Sequence, residues 1–172
     1  MAQSAIPRYS FKMQKGILGR VLEELGAGWA TFFYVGRSPK APGTVGSLAA
    51  LPLAWWCWSL GPAWGWAITI FVFVTGTLAA RSVIARTGNT DHQSIVIDEV
   101  VGICITTSVA HQIWWQYALA FVFFRIFDIW KPWPVRWVDR NWKSALGTML
   151  DDVAAAVLAT ALLWGVLLRV PL

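Results

Sequence analysis

Residues 41–80 read APGTVGSLAALPLAWWCWSLGPAWGWAITIFVFVTGTLAA and contain no Asp, Glu, Lys or Arg. A helix that crosses a bilayer needs about 20 mostly apolar residues, so this stretch is long enough to cross and return. Gly61-Pro62 lies near its middle and is typical of a turn. The stretch therefore predicts a pair of membrane-embedded helices, over 46–60 and 63–80.

Two more stretches without charged residues follow, at 100–124 and 153–168. The second predicts one short span. For 100–130 we expect a helical hairpin with its tip at His111–Gln116, and a single long tilted helix is the alternative. The pattern indicates an all-α, polytopic helical membrane protein with about four membrane-embedded helices.

The composition agrees with a membrane location. Hydrophobic residues make up 57% of the chain and charged residues 13%, against roughly 45–50% and about 25% in typical soluble domains. The alternative is an unusually buried soluble helical protein. The net charge is +5, but there is no basic run of the kind that follows phosphates, so we expect no nucleic-acid partner.

The charged residues fall on one side of the predicted membrane. With the N-terminus inside, 1–43, 81–99 and 125–152 share a side, and Arg169 is the single exception among the charged residues. This asymmetry predicts that the charged side is cytoplasmic. Residues 1–35 mix basic and apolar positions at helical spacing, which favours a basic interfacial helix lying on the membrane. Residues 36–172 are predicted to form the membrane-embedded domain.

Carboxylates lie at the ends of three apolar segments: Asp98-Glu99, Asp128 and Asp151-Asp152. Grouped carboxylates repel one another, and a bound divalent cation offsets that repulsion. Oxygen ligands without a Cys or His cluster suit Mg²⁺ or Mn²⁺. We therefore expect a metal site on the charged face. The alternative is that each group meets solvent or stabilises a helix N-terminus.

Basic residues accompany these carboxylates in the run FRIFDIWKPWPVRWVDRN, residues 124–141. Arg125, Asp128 and Lys131 recur at a spacing of three and share roughly one helix face, and Pro132 predicts that the helix ends there. Cations beside metal-binding carboxylates suit a phosphate-handling site, so Arg125, Lys131 and Arg136 are candidate substrate ligands.

Membrane anchoring to anionic lipids is the alternative role for these cations. It accounts for Arg140 and Lys143 more easily than for Arg125 or Lys131. Asp139, which lies between Lys131 and Arg140 in the sequence, is expected in a surface loop.

The segment PGTVGS, residues 42–47, precedes the first apolar stretch. Its glycines permit close approach of a ligand, which makes Thr44 a candidate substrate ligand; the alternative is that Thr44 or Ser47 caps the next helix. His92, next to Asp91, is a weaker site candidate.

Four blocks of the chain resemble the phosphatidylglycerophosphatase A family. They occur in the family's order and are PGTVGSLAA (42–50), DHQSIVIDEVVG (91–102), FRIFDIWKPWPVRWVDRN (124–141) and GTMLDDVAAAV (147–157). The resemblance implies an enzyme, a Mg²⁺-dependent lipid phosphatase of the bacterial inner membrane. Such an enzyme converts phosphatidylglycerophosphate to phosphatidylglycerol in phospholipid biosynthesis.

The resemblance also implies where the site lies. It places metal ligands at the family's acidic positions and catalytic groups at most of these and at the lysine of the KP pair. The implied metal ligands are Asp98, Glu99, Asp128, Asp151 and Asp152. The implied catalytic residues are Asp98, Glu99, Asp128, Lys131 and Asp152.

Two questions stay open at this level. The attacking group is either a water or an aspartate. A small cation transporter or channel with a cytoplasmic carboxylate cluster is the alternative function, and it would need carboxylates along a path across the bilayer.

Overall fold

The computed structural model describes residues 17–89 and 92–170, so Asp91 and the first 16 residues of the predicted N-terminal segment lie outside the described residues. Within those ranges the fold is entirely helical, which confirms the predicted all-α class. The helices are α1 (Ile17–Ala30), α2 (Pro42–Ser59), α3 (Pro62–Thr87), α4 (Ile97–Thr106), α5 (Trp114–Trp130), α6 (Val135–Asn141) and α7 (Ala145–Leu167).

The first charge-free stretch forms the predicted helical pair, α2 and α3. Pro42 and Pro62 each lie in the first turn of their helix, where proline's missing N–H costs no intrahelical hydrogen bond. Between the helices Gly61 adopts φ 98°, a conformation that favours glycine. The turn at Gly61-Pro62 is therefore where the sequence predicts it.

Two of the described helices are long and apolar enough to cross a membrane, α3 with 26 residues and α7 with 23. Helix α2 has 18 residues and contains Pro52. Helix α4 has 10 residues, which is too short to cross the roughly 30 Å hydrocarbon core. The predicted total of about four membrane-embedded helices stays a prediction.

Residues 97–130 form a helical hairpin, so the single tilted helix is wrong. Helix α4 continues into a short 3₁₀ turn, Thr107–Val109, and α5 begins at Trp114. At the tip the backbone N–H of His111 donates to Gln116 Oε1 over 2.6 Å. This contact satisfies a donor that the interrupted helix leaves without a backbone partner.

Small residues bring the helices close together. Ala155, Ala156 and Ala159 of α7 are fully buried. A Cβ at Gly76 of α3 would contact the side chain of Ile97, and one at Gly102 of α4 would collide with the Phe124 ring. Without such residues the backbones could not approach so closely. This packing holds the ends of α4, α5 and α7 at the same side of the fold.

Helix α1 packs on α3 through Trp29, whose Nε1 donates to Thr75 Oγ1 over 3.0 Å. Its apolar side chains Ile17, Leu18 and Leu22 remain exposed. An exposed apolar face is what an interfacial helix requires. That role, like the division into an N-terminal segment and an embedded domain, stays a prediction.

The surface loop expected around Asp139 is instead a helix, α6. Helix α5 ends at Trp130 before Pro132, as predicted, but the chain turns directly into α6. Val135 of α6 is fully buried. This packing turns the segment back toward α7 and brings Asp139 to the site described below.

Candidate active site

Helix ends from four parts of the chain enclose a polar cavity of about 510 Å³. The first turns of α2 and α4, the end of α5 and the first half of α7 all face it. Its polar lining residues are Thr44, His92, Gln93, Asp98, Glu99, Arg125, Asp128, Lys131, Thr148, Asp151 and Asp152. All five carboxylates proposed as metal ligands therefore meet in one cavity.

Three of these carboxylates form a compact group. One oxygen from each of Asp98, Glu99 and Asp152 lies within 4.8 Å of the others. Asp98 Oδ1 also accepts a hydrogen bond from the Glu99 N–H over 3.0 Å. Glu99 Oε2 and Asp152 Oδ2 are buried without a hydrogen-bond partner. An all-oxygen group with orphaned buried acceptors fits a hard divalent cation.

Electrostatics within the group favour a cation as well. Burial raises the pKa of Asp98 well above its usual range, and the charges of Glu99 and Asp151 raise it further. Burial and the charges of Asp152 and Asp128 together raise the pKa of Glu99 to about 8, although the hydrogen bond with Asp98 acts in the opposite direction. The cost of ionising these carboxylates is what a bound cation would offset.

Asp128 lies in the same cavity but is paired with Arg125. Arg125 Nη1 is 2.7 Å from Asp128 Oδ2 and 3.9 Å from Glu99 Oε1. The same nitrogen lies 3.4 Å from Ser47 Oγ of α2. Arg125 and Asp128 share a helix face, as predicted from their spacing. Arg125 therefore links α5 both to the cluster of Asp98, Glu99 and Asp152 and to the start of α2.

Lys131 reaches the cavity from beyond the end of α5. Its Nζ donates to Asp151 Oδ2 over 2.7 Å and to Asp139 Oδ1 over 2.9 Å. Burial by itself lowers the pKa of the Lys131 ammonium, but the hydrogen bonds and charges of Asp151 and Asp139 outweigh this effect and raise it. Lys131 is thus held as a cation beside the cluster of Asp98, Glu99 and Asp152.

Glycine at position 43 lets the first turn of α2 approach the site. A Cβ there would collide with Glu99 Oε1 and lie 3.2 Å from Arg125 Nη1. Thr44 lines the cavity, but neither it nor Ser47 caps α2, so the capping alternative is wrong. The N-cap residue is Ala41, which makes no side-chain cap hydrogen bond. Ser47 Oγ instead donates to the Gly43 carbonyl.

Two sequence candidates lie less centrally. Arg136 is exposed and its Nη2 is 3.5 Å from the Trp130 carbonyl oxygen, and it does not line the cavity. His92 does line it, with Nδ1 2.7 Å from Ser94 Oγ. Reasoning from the sequence missed the contact of Asp139 with Lys131, and it assigned the glycines of 42–47 to the approach of a ligand instead of the approach of Gly43 to Glu99. Gly43 and Asp139 both lie inside the motif blocks, but their contacts depend on how α2 and α6 approach the other helices.

Comparison with known proteins identifies the family of this chain. The family model described as phosphatidylglycerophosphatase A matches residues 28–167. The chain belongs to the phosphatidylglycerophosphatase A family. This confirms the resemblance, and with it the prediction of a phosphatase. The matched residues include every helix that lines the cavity.

Curated relatives agree with this assignment. The chain is 39% identical to phosphatidylglycerophosphatase A of Escherichia coli, over 78% of this chain and 79% of that protein. It is 38% identical to the protein of that name from Haemophilus influenzae, over 80% and 85%. A putative phosphatidylinositol-3-phosphatase of Bacteroides thetaiotaomicron is 36% identical over 74% and 84%. No solved structure matches this chain.

Proposed function

We propose that this protein hydrolyses the terminal phosphate of phosphatidylglycerophosphate to give phosphatidylglycerol, in a Mg²⁺-dependent reaction of phospholipid biosynthesis. The observation that carries the proposal is the compact group of Asp98, Glu99 and Asp152 beside Lys131 and Arg125 in one cavity. The substrate comes from the names of the two relatives from E. coli and H. influenzae.

Asp98, Glu99 and Asp152 would hold the Mg²⁺. Glu99 Oε2 and Asp152 Oδ2 are the acceptors that lack a partner within the protein. When bound, the metal supplies Lewis-acid polarisation of a phosphoryl oxygen and lowers the pKa of a coordinated water. Asp128 and Asp151 line the same cavity, and each is already paired with a cation. In this proposal they hold Arg125 and Lys131 in place, in contrast to the metal ligation that the resemblance implies for them.

The chain's own cations would neutralise and orient the phosphoryl group. Lys131 and Arg125 face the cavity, and Asp128 positions Arg125 through its 2.7 Å contact. Gly43 and Thr44 lie in the first turn of α2, where backbone N–H groups lack intrahelical partners and can donate to an anion. These donors suit the oxygens of a phosphate monoester.

We infer that water is the attacking group. Its oxygen would bond to phosphorus as the bond to the glycerol oxygen breaks, and the glycerol oxygen would leave with a proton. The cavity is lined by neither Ser nor Cys among the described residues. Asp98 and Asp152 are the proposed metal ligands, which leaves neither carboxylate free to attack phosphorus. Asp128 and Asp151 instead hold cations.

The proposed location is the cytoplasmic face of a bacterial inner membrane. The cavity lies among the charged helix ends, and the loop at Gly61 and the hairpin tip on the other side are uncharged. The positive-inside pattern supports this orientation. A multi-pass enzyme placed in this way meets its phospholipid substrate at the inner leaflet.

The test is phosphate release by the purified protein in detergent. Phosphatidylglycerophosphate should be hydrolysed in the presence of Mg²⁺. Hydrolysis should stop when a chelator is added and resume when Mg²⁺ is restored. Phosphatidylinositol 3-phosphate is the competing substrate because one relative is named a putative phosphatidylinositol-3-phosphatase. Calorimetric titration of Mg²⁺ into the protein and into Asp152→Asn provides a readout that does not need turnover.

Loss of metal binding in Asp152→Asn together with loss of turnover is the expected result. Faster hydrolysis of the inositol lipid than of phosphatidylglycerophosphate would contradict the proposed substrate. Full activity in the presence of a chelator would contradict the proposed metal requirement. Protein-dependent cation flux in liposomes without any phosphate release would favour the transporter alternative.

A further inference from the structure

A second, apolar concavity of about 490 Å³ opens beside the carboxylate cavity. It follows the outer face of α5 and touches the start of α2. Its apolar lining residues are Phe121, Val122, Ile126, Ile129 and Trp130, and its polar ones are Thr44 and Arg125. We call this concavity the α5 groove.

We propose that the α5 groove binds an acyl chain of the phospholipid whose phosphorylated headgroup occupies the carboxylate cavity. This inference rests on the proposed function and adds the route by which the lipid reaches the site. The groove and the cavity share three lining residues, Thr44, Arg125 and Ile129. One molecule can therefore occupy both without leaving the protein surface.

The groove has the direction that a membrane lipid requires. Val122, Ile126 and Ile129 are spaced by four and three positions, so they form one stripe along α5. From residue 121 to 130 the stripe covers about 13 Å at 1.5 Å per residue. It begins beside Asp128 at the charged end of the helix and runs toward its uncharged middle. A bilayer lipid with its phosphate at the cavity would place its chain along the same line.

The polar part of the groove coincides with its overlap with the carboxylate cavity. The two polar side chains lie where the groove meets the cavity, and Arg125 there is partly buried, with 15% of its side chain exposed. The rest of the lining is aliphatic or aromatic. A water-soluble phosphate ester would gain nothing from this surface, so the groove favours phosphate esters that carry an acyl chain.

Matched tryptophan substitutions test the proposal. Ile126 lies in the groove and is 47% exposed, whereas Ile70 of α3 is 59% exposed and does not line it. Ile126→Trp should fill the groove, and Ile70→Trp should place the same ring elsewhere on the apolar surface. Each variant is assayed in detergent with long-chain phosphatidylglycerophosphate and with its deacylated form.

Ile126→Trp should lower kcat/KM for the long-chain lipid by about tenfold or more, a change of about 1.4 kcal/mol, mainly through a higher KM. Its activity on the deacylated compound should equal that of the unchanged protein, and Ile70→Trp should match the unchanged protein on both substrates. The proposal would be contradicted if Ile126→Trp lowered kcat/KM equally for both substrates or for neither. It would also be contradicted if Ile70→Trp had the same effect as Ile126→Trp.

A binding experiment covers the case in which a variant folds poorly. A phosphatidylglycerophosphate with a diazirine in its acyl chain should crosslink the unchanged protein mainly within residues 121–130. Crosslinks spread equally over α3 and α5 would contradict the proposal. This readout needs no turnover, so a protein that crosslinks at α5 yet hydrolyses no phosphatidylglycerophosphate would overturn the proposed function and leave the groove standing.

Discussion

Lys131 Nζ and Asp151 Oδ2 are 2.7 Å apart, although the two residues are separated by 20 positions in the sequence. The contact joins the end of α5 to the first half of α7. Lys131 itself adopts φ 46° directly before Pro132, a left-handed conformation that costs a non-glycine residue about 1–3 kcal/mol. The pairing with Asp151 and Asp139 helps to stabilise this backbone and directs the ammonium into the cavity.

Lys131→Ala should lower turnover of phosphatidylglycerophosphate by about two orders of magnitude, the usual effect of losing a group that stabilises transition-state charge. The loss should persist in neutral detergent, where attraction to an anionic surface is absent. Phosphate release at saturating Mg²⁺ measures it. A melting curve accompanies the assay, because removal of Lys131 leaves Asp139 and Asp151 without their shared cation.

The matched variant for Lys131→Ala is the double change Arg140→Ala with Lys143→Ala. Both residues are exposed, and each basic residue near an anionic surface contributes about 1 kcal/mol to membrane attraction. The double variant should lose activity in anionic bilayers and little in neutral detergent. If the two variants behave alike, with modest losses only in anionic bilayers, Lys131 is a membrane anchor.

Asp139→Asn should reduce turnover by less than Asp151→Asn. The reason is that Asp139 contacts Lys131 at 2.9 Å from the partly exposed side of the site, whereas Asp151 is buried and contacts it at 2.7 Å. We expect a loss of about tenfold for Asp139→Asn, or about 1.4 kcal/mol in the barrier. Parallel kcat/KM measurements decide the order, and a larger loss for Asp139→Asn would show that it holds Lys131 more strongly than Asp151 does.

Much of the fold could be predicted from where charges and prolines stand. The charge-free stretch 41–80 predicts α2 and α3 because apolar runs of that length pack as helices in a membrane. Pro132 predicts the end of α5 because the residue before a proline disfavours the helical conformation. These signals are local, so a single sequence carries them.

The direction of the chain beyond a helix end could not be predicted in the same way. The sequence indicates a surface loop at Asp139 because two prolines precede it, whereas burial of Val135 turns a short helix toward α7. The sequence also offers side-chain caps for the start of α2, but Ala41 adopts φ 46° there and no cap forms. Both features depend on contacts between distant residues.

Asp98→Asn, Asp128→Asn and Asp152→Asn should each lose about two orders of magnitude in turnover or more, as the loss of a metal ligand or a charge-stabilising group does. For Asp128 the cause differs, because its removal frees Arg125 from its 2.7 Å partner. Steady-state assays over a range of Mg²⁺ concentrations separate the causes. Excess Mg²⁺ should partly restore Asp98→Asn or Asp152→Asn and leave Asp128→Asn unchanged, and full activity in all three variants would contradict the site.

Gly43→Ala should lower activity by about tenfold or more, equivalent to about 1.4 kcal/mol in the barrier. The new methyl group would collide with Glu99 Oε1 and push it away from Asp98 and Asp152. Phosphate release measures the loss, and unchanged activity would mean that α2 does not constrain Glu99.

Gly165→Ala in α7 is the matched variant for Gly43→Ala, since a Cβ added at Gly165 would meet no atom within 4 Å. It should keep full activity and gain up to about 1 kcal/mol of stability from the better helix propensity of alanine. Melting curves of both variants separate a loss of folding from a loss of turnover.

Single cysteines should reveal which side of the membrane carries the site. Arg86 and Lys143 lie among the charged helix ends and their side chains are 42% and 54% exposed, so cysteines placed there are accessible to a reagent on that side. In intact cells an impermeant thiol reagent should leave both unlabelled, because the positive-inside pattern predicts that they face the cytoplasm. A cysteine at Arg169, the exposed charged residue beyond the end of α7, should be labelled from outside.

The native Cys57 and Cys104 are buried and should add little background. Permeabilised cells, in which all three positions should react, establish that the engineered thiols are reactive. External labelling at Arg86 or Lys143 in intact cells would place the carboxylate cavity on the outer face and overturn the proposed cytoplasmic site.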